Sequence, residues 1–221
     1  MSENRKFSVL MSVYVKENPV FLEEAVESII HQTLKPSEVV IVEDGPLTPE
    51  LYQVLEKLEA QSSIPIKRCP LEQNRGLGLA LQYGVLQCQY DVIARMDTDD
   101  IAVEDRFEQQ FELMEKENLD LLGGHIAEFI DQPDEIVSYR RVPTKHEDII
   151  VYQRMRSAFN HMTVMFKKEM VLKAGNYEDG LYMEDDLLWL NMISAGARTG
   201  NVDQILCKVR VGAGMFERRG G

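Results

Sequence analysis

Short strand-like runs and amphipathic stretches alternate through the first hundred residues. The runs at 7–13, 39–42, 64–68 and 91–96 predict four short buried strands. Between these runs, apolar residues recur at helical spacing: Leu22, Ala25, Val26, Ile29 and Ile30 in one stretch, Leu51, Leu55 and Leu58 in the next, and residues 77–88 in a third. Because short apolar strands alternate with helices, we expect a mostly parallel sheet covered by helices on both faces.

Two of these helices begin with the same signal. Asn18-Pro19 and Thr48-Pro49 each place a capping side chain before a proline. Proline is favoured at the first helical position because its missing N–H would have no partner there. We therefore expect helices to begin at these two points.

The second half of the chain has a more mixed pattern. A helical stripe over Phe107, Phe111 and Met114 is followed by a strand, a turn at 131–135 and a second strand, together spanning 121–141. Residues 146–156 and 187–195 read as helices, and 162–166 as a strand. No linker-like segment separates the halves, so we expect one domain over residues 1–221.

Composition and charge exclude several classes of protein. The formal net charge is -13 and the isoelectric point is near 4.8, whereas nucleic-acid binding needs a basic face. Cys69, Cys88 and Cys207 form neither a disulfide framework nor a metal-ligand pattern, which favours a reducing compartment. No apolar run approaches the roughly 20 residues that span a bilayer. We expect a soluble, cytoplasmic protein that binds no nucleic acid.

The chain ends in Gly220-Gly221 without an evident closing helix or strand. We therefore expect the native chain to continue past residue 221. Any peripheral contact with the inner face of the plasma membrane would come from those further residues.

Polar residues follow three of the predicted strands. These residues are Ser12, Tyr14 and Glu17 after the first strand, Glu43 and Asp44 after the second, and Asp97, Asp99 and Asp100 after the fourth. Ligands of open parallel sheets bind at the carboxyl ends of the strands. The sequence therefore predicts a ligand site at this edge of the sheet.

The strongest chemical signal is the acidic run from Asp97 to Asp100. Carboxylates two residues apart on extended backbone point to the same side, so Asp97 and Asp99 can converge on one hard cation such as Mg²⁺ or Mn²⁺. A helix cap explains one aspartate but not three. A calcium loop fails because Ala102 stands where that loop requires glycine. We therefore favour a metal site.

Other candidates have a structural alternative beside the functional one. Arg75 precedes a predicted helix and is either a phosphate contact or a surface arginine. The glycines that follow it, Gly76 and Gly78, lack the third glycine of a dinucleotide-binding loop. The run from Glu184 to Asp186 is either a charged helix start or the source of a general base. His161 is either structural or a contact residue. Arg218 and Arg219 either form a tail or close over a diphosphate.

Six segments together resemble a family-2 glycosyltransferase with the GT-A fold, of the type that builds bacterial capsular polysaccharide or exopolysaccharide. They span roughly 7–195 in the family's order: FSVLMSVYVKENPVFLEEAVESIIHQT, VVIVEDG, NRGLGLALQYGV, ARMDTDD, NHMTVMFKK and EDDLLWLNMISAG. The resemblance implies an α/β fold with a Rossmann-like, mostly parallel central sheet flanked by helices. It also implies a small antiparallel hairpin region in the second half.

The resemblance also implies roles for individual residues. Nucleotide binding falls to Ser12, Tyr14, Glu17, Asp44, Arg75 and Asp97. Asp97 and Asp99 match the family's DxD motif and would hold Mn²⁺ or Mg²⁺ with the donor diphosphate. Asp185 matches the catalytic base, with Glu184 orienting the acceptor. His161, Trp189, Arg218 and Arg219 are further candidates for diphosphate or acceptor contact.

The implied activity is inverting, metal-dependent sugar transfer. The donor would be a nucleotide-sugar, by family habit a UDP-sugar, and the acceptor a saccharide or a lipid-linked saccharide. The chain departs from the family pattern at Pro46, where serine is commoner, and in lacking a Gln-x-x-Arg-Trp motif, for which Arg218-Arg219 would substitute.

Three other functions remain as alternatives. A sugar-nucleotide nucleotidyltransferase would need a glycine-rich basic loop after the first strand, and none is present. A non-catalytic nucleotide-sugar binding domain would tolerate loss of either acidic run, yet both are intact. Hydrolysis by a carboxylate pair would leave the metal motif unexplained.

Overall fold

The computed structural model describes residues 5–179 and 183–212. The helices are α1 Pro19–Ile30, α2 Pro49–Gln61, α3 Leu77–Gln87, α4 Arg106–Glu117, α5 His146–Tyr152, α6 Lys168–Lys173 and α7 Glu184–Ser194. The strands are β1 Ser8–Val13, β2 Glu38–Glu43, β3 Ile66–Pro70, β4 Val92–Arg95, β5 Ile101–Ala102, β6 Leu121–Phe129, β7 Ile136–Arg140, β8 Met165–Lys167 and β9 Thr199–Arg210. A 3₁₀ turn, His161–Thr163, precedes β8.

All nine strands of the described residues join one sheet, in the order β3-β2-β1-β4-β8-β6-β9-β5, with β7 paired to β6. Strands β3, β2, β1 and β4 run parallel to one another. The pairings β4–β8, β6–β8, β6–β7 and β5–β9 are antiparallel, whereas β6–β9 is parallel. A parallel half therefore meets a mixed half at β4.

Helices cover both faces of the sheet, as the alternating pattern predicts. Val9 and Met11 of β1 pack in one core with α1, α2 and α4. Leu10, between them, packs in a second core with α3, α5, α6 and α7. Successive side chains of a strand point to opposite faces, so each buried strand contributes to both cores.

Both predicted proline-led helix starts are confirmed. The side chain of Asn18 accepts a hydrogen bond from the backbone N–H of Val20 at 2.9 Å. The Thr48 hydroxyl accepts one from Leu51 N–H at 3.3 Å. Each cap satisfies a backbone donor that has no partner within its helix.

Several predicted boundaries are corrected. The third strand lies at Ile66–Pro70 rather than 64–68, and the predicted strand 162–166 is a 3₁₀ turn followed by β8. Helix α7 begins at Glu184 rather than at residue 187, so the acidic residues form its first turn. Strand β5 and helix α6 were not predicted because each is too short to show a period.

Strand β9, Thr199–Arg210, is the largest correction, because the sequence analysis found no helix or strand after the helix predicted at 187–195. Its register against β6 shifts on both sides of His125, and Asp203 and Gln204 in its middle are exposed. These bulges interrupt the alternation of apolar and polar residues that marks a strand in a sequence.

Two further observations concern compartment and membrane. Cys69, Cys88 and Cys207 are buried and form no disulfide with one another. Within the described ranges, none of the helices has the length and apolar character needed to cross a bilayer.

Candidate active site

A cleft of about 1090 Å³ lies at the carboxyl ends of β1, β2 and β4. It is the place that the parallel topology predicts for a ligand. Ten of the predicted site residues line it: Ser12, Tyr14, Glu17, Asp44, Arg75, Asp97, Asp99, His161, Glu184 and Asp185. Arg218 and Arg219 lie outside the described residues.

The acidic loop after β4 gathers three carboxylates. One carboxylate oxygen from each of Asp97, Asp99 and Asp100 lies within 4.8 Å of the others. Asp100 is buried and accepts a hydrogen bond from the backbone N–H of Arg210 at 3.0 Å. Burial and the charges of Asp99 and Asp97 raise the pKa of Asp100 well above its ordinary value. Three crowded hard oxygen ligands fit a divalent cation such as Mg²⁺ or Mn²⁺.

Arg95 balances part of this negative charge. Its buried guanidinium donates one hydrogen bond to the Asp97 carboxylate at 2.5 Å, and a second guanidinium nitrogen forms an ion pair with the other carboxylate oxygen at 2.5 Å. Burial opposes the charged guanidinium, but the attraction of Asp97 and other nearby acids outweighs it and raises the pKa of Arg95. Sequence reasoning did not assign Arg95 to the site. The sequence signal for this role was its position at the end of a buried strand, because a buried arginine needs an acidic partner.

The loop after β2 is fastened to the start of α3 by Asp44. One oxygen of the buried Asp44 carboxylate accepts the backbone N–H of Arg75 at 2.7 Å, and the other accepts that of Gly76 at 3.0 Å. The amide of Asn74 also donates to the Asp44 carbonyl, at 3.2 Å. These bonds hold Arg75 at the cleft and leave each carboxylate oxygen a lone pair for a ligand.

Glu43 and Glu17 differ in their relation to the cleft. Glu43, considered with the polar strand ends, does not line the cleft: its carboxylate is bound by Arg68 of β3 at 2.5 Å. Glu17 lines the cleft and accepts a hydrogen bond from the Thr98 hydroxyl at 2.8 Å. Glu17 therefore ties the loop after β1 to the acidic loop after β4.

The first turn of α7 forms the facing wall. Asp185 has only 23% of its side chain exposed. Burial, followed by the charges of Asp186 and Glu184, raises the pKa of Asp185 to about 6. A carboxylate with a pKa in this range can accept a proton near neutral pH and is a stronger base than an ordinary aspartate.

His161 lies between Asp185 and the buried Tyr177. Its Nε2 is 3.0 Å from the Tyr177 hydroxyl, and its Nδ1 is 3.8 Å from an Asp185 oxygen. Burial and the charge of Arg95 lower the pKa of His161 well below its ordinary value, and burial raises the pKa of Tyr177. The neutral phenol can therefore donate to Nε2, which places the ring proton on Nδ1, facing Asp185.

Trp189 does not line the cleft, contrary to the expectation of acceptor contact. Its side chain is fully buried, and its ring packs 5.8 Å from the rings of both Phe159 and His161. Helix α7 has a buried face formed by Leu188, Trp189 and Met192. Its contribution to the site is to support the His161 ring.

The cleft is also lined by two arginines that the sequence analysis did not assign to the site. Arg140, at the end of β7, and Arg156, after α5, both line the cleft. Close to Arg156 in the chain, the Gln153 amide donates a hydrogen bond to Asp186 of α7 at 2.9 Å. The sequence signal was weak, because arginines on a hairpin and at a helix end usually lie on a solvated surface.

Residues 8–173 match the family described as Glycosyl transferase family 2. The chain belongs to this family. The match covers most of the chain and includes the loops after β1, β2 and β4, which confirms the family predicted from the six segments.

Relatives in bacteria extend the match over nearly the whole chain. An uncharacterized glycosyltransferase of Haemophilus influenzae is 48% identical over 98% of this chain and 80% of its own length. The amylovoran biosynthesis glycosyltransferase AmsE of Erwinia amylovora is 43% identical, over 97% and 80%. The Escherichia coli UDP-Gal:alpha-D-GlcNAc-diphosphoundecaprenol beta-1,3-galactosyltransferase is 38% identical, over 98% and 78%. This chain is therefore an enzyme of the transferase class.

Solved structures share the fold. Staphylococcus aureus TarS in complex with UDP-GlcNAc has a TM-score of 0.72 at 19% identity, over 95% of this chain and 59% of its own. The mannosyltransferase PcManGT of Pyrobaculum calidifontis, in complex with GDP-Man and Mn²⁺, has a TM-score of 0.73 at 15% identity, over 96% and 60%. The chain therefore spans about three fifths of these proteins and has their GT-A fold, as predicted.

Proposed function

We propose that this family-2 glycosyltransferase transfers a sugar from a UDP-sugar to a hydroxyl of a lipid-linked saccharide during synthesis of a cell-surface polysaccharide. The observation that carries the proposal is the shared cleft, in which the acidic cluster after β4 faces Asp185 of α7. The relatives named for amylovoran biosynthesis and for galactose transfer from UDP-Gal to a diphosphoundecaprenol-linked sugar support the polysaccharide context.

On the donor side, Asp97 and Asp99 would hold Mn²⁺ or Mg²⁺, with Asp100 close enough to contribute. Such an ion, when bound, neutralises the negative charge that develops on the departing nucleoside diphosphate. Ser12, Tyr14, Glu17, Asp44 and Arg75 would surround the nucleotide, since they line the cleft and follow the adjacent parallel strands β1, β2 and β3. Arg95 keeps Asp97 in place through a hydrogen bond and an ion pair to its carboxylate.

On the acceptor side, Asp185 takes the proton of the attacking hydroxyl. The hydroxyl oxygen forms a bond to the anomeric carbon while the bond from that carbon to the diphosphate oxygen breaks, and the bonding electrons leave with the diphosphate. A single in-line displacement of this kind inverts the anomeric centre. Glu184 would orient the acceptor beside Asp185.

We further propose that residues 1–221 form one catalytic domain that works in the cytoplasm, at the inner face of the plasma membrane. Undecaprenol in the name of the Escherichia coli relative supports a lipid-linked acceptor. Contact with the membrane through residues beyond 221 stays a prediction.

Calorimetric titration with a panel of nucleoside diphosphates tests the donor and metal assignments together. We expect one of them, UDP, to bind at least about tenfold more tightly with Mn²⁺ than with chelator, a difference of about 1.4 kcal/mol. Asp99→Asn should remove this Mn²⁺ effect. The control Asp134→Asn, on an aspartate paired with Lys208 outside the cleft, should retain it.

Two results would contradict these assignments. Equal UDP affinity with and without Mn²⁺ would defeat the metal site, and tight binding of a different nucleotide would defeat the UDP assignment.

A further inference from the structure

Charge is unevenly distributed in the cleft. Its lining is predominantly acidic, yet it contains five arginines: Arg75, Arg95, Arg140, Arg156 and Arg210. Arg95 pairs with Asp97, and Arg210 pairs with Glu24. Within residues 5–179 and 183–212, the other three make no ion pair with a carboxylate. They are therefore the cleft cations available to an anionic ligand.

Arg75 and the other two arginines belong to different halves of the sheet. Arg75 follows β3, in the parallel half of the sheet that carries the proposed nucleotide residues. Arg140 ends β7, which pairs with β6 in the mixed half, on the other side of β4 and its acidic loop. A ligand at Arg140 and Arg156 therefore lies on the far side of the acidic cluster from the nucleotide.

Arg140 and Arg156 are held beside each other by the backbone. The Arg140 guanidinium donates to the carbonyl of Ser157, the residue after Arg156, at 3.2 Å. Only one of its five N–H groups is needed for this bond. The Arg156 guanidinium lies 5.7 Å from the centre of the Tyr152 ring. Both arginines remain exposed, with donors directed away from these contacts available to a ligand.

The loop that carries Arg156 is also braced to the proposed base. Gln153 accepts the Ala158 N–H at 2.8 Å and donates to Asp186, next to Asp185, at 2.9 Å. Arg156 therefore has a defined position relative to the first turn of α7. A ligand anchored at the arginines would be placed at a fixed distance from Asp185.

Several apolar side chains close to Arg140 and Arg156 in the sequence are exposed, and Met155 among them lines the cleft. Met155, between Arg154 and Arg156, has 79% of its surface exposed and lines the cleft. Val151 of α5 and Tyr139 of β7 are also largely exposed. An anionic group attached to a hydrocarbon chain would match this combination of guanidinium groups and apolar surface.

We propose that Arg140 and Arg156 form a subsite for the diphosphate of a lipid-linked acceptor, with Met155 against the hydrocarbon that follows it. This inference rests on the proposed function, because it assigns the acceptor's diphosphate to that reaction's cleft. Guanidinium groups bind phosphate oxygens through paired N–H donors, which gives direction as well as charge. The acceptor sugar would extend from this anchor toward Asp185.

The test is calorimetric binding of decyl diphosphate in the presence of chelator, which removes any metal-held diphosphate. We expect Arg140→Gln and Arg156→Gln each to weaken binding at least about tenfold. Arg141→Gln and Arg154→Gln are matched controls, because these arginines are exposed neighbours that do not line the cleft. Both controls, and Arg75→Gln, should bind decyl diphosphate as the unmodified protein does.

Inorganic pyrophosphate in the same titration distinguishes a lipid-linked diphosphate from a free one. We expect pyrophosphate to bind at least about fivefold more weakly than decyl diphosphate, and Met155→Ser to remove most of that difference. Equal affinity for both would overturn the lipid-linked assignment.

Three other results would overturn the subsite itself: no binding of decyl diphosphate, equal loss in the Arg141 and Arg154 variants, or loss only in Arg75→Gln. A parallel titration with UDP and Mn²⁺ on the same samples reports the proposed function separately. Failure of that titration with intact decyl diphosphate binding would contradict the donor assignment and not the subsite.

Discussion

At the scale of single residues, burial decides which acidic groups differ chemically from ordinary aspartates. Asp185 and Asp186 are neighbours in the first turn of α7, where burial and neighbouring charges raise the pKa of Asp185 to about 6. Both side chains line the cleft, but Asp185 lies beside His161, whereas Asp186 accepts a hydrogen bond from Gln153. The two side chains therefore have different uses although the sequence presents them as a pair.

The pKa of Asp185 predicts a pH dependence of transfer. A base must be deprotonated to act, so kcat/KM should fall as pH drops through about 6. Asp186→Asn removes a negative charge that raises this pKa, while the amide oxygen can still accept from Gln153. We expect the acid limb of its pH profile to move to lower pH. A flat profile, or an acid limb at the same pH in this variant, would contradict the assignment.

The spacing of Asp97 and Asp99 was sufficient to predict a cation site from sequence, because two carboxylates on extended backbone share a side. Trp189 was misassigned because a buried aromatic residue and one that lines a cleft look the same in a sequence. Arg95 was missed for a related reason: its partnership with Asp97 depends on burial of the whole guanidinium.

At the scale of elements, the site depends on how closely α3 approaches the start of α7. Gly78 lies in the first turn of α3, and a Cβ there would be 2.7 Å from the carbonyl oxygen of Glu178 and 3.4 Å from Glu184 Cβ. Only a residue without a side chain allows this distance. Gly78 thus allows α3 to pack closely against Glu178 and the first residue of α7.

Gly78→Ala should therefore impair catalysis by displacing backbone at the start of α7. We expect kcat to fall at least about tenfold, because small displacements of catalytic groups are costly. Gly84→Ala is the matched control: its Cβ would meet Leu10 and Val42 in the core, away from the cleft. The control should lower the free energy of unfolding by about 1–3 kcal/mol and leave the kcat of folded protein near normal. Equal kcat in both variants would contradict this role of Gly78.

The elements of the parallel half could be predicted from sequence, since their apolar residues have a clear period and α1 and α2 begin with a capping residue followed by proline. Strand β9 could not, because its bulges at Asp203 and Gln204 break the alternation. The wall that carries Arg140 and Arg156 depends on this mixed half, so its contribution to the cleft became visible only in the structure.

At the scale of the whole molecule, ligand binding should stabilise the fold by mass action. A donor nucleotide at 100 times its dissociation constant adds about 2.7 kcal/mol, which corresponds to a rise in Tm of about 5–10 °C for a chain of this size. We expect UDP with Mn²⁺ to produce this rise in differential scanning calorimetry. Either one alone, or both with Asp99→Asn, should produce a much smaller rise, and an equal rise in that variant would contradict the metal assignment.

The most direct test of the account is transfer of labelled sugar from UDP-sugars to a panel of sugar diphosphates by the unmodified protein, Asp185→Asn and Asp186→Asn. General bases contribute typically about 10²–10⁴-fold to a rate. We predict Mn²⁺-dependent transfer that Asp185→Asn slows at least about 100-fold with unchanged UDP affinity, while Asp186→Asn stays within about fivefold of normal. Transfer by Asp185→Asn at the normal rate, or undiminished transfer in chelator, would contradict the account.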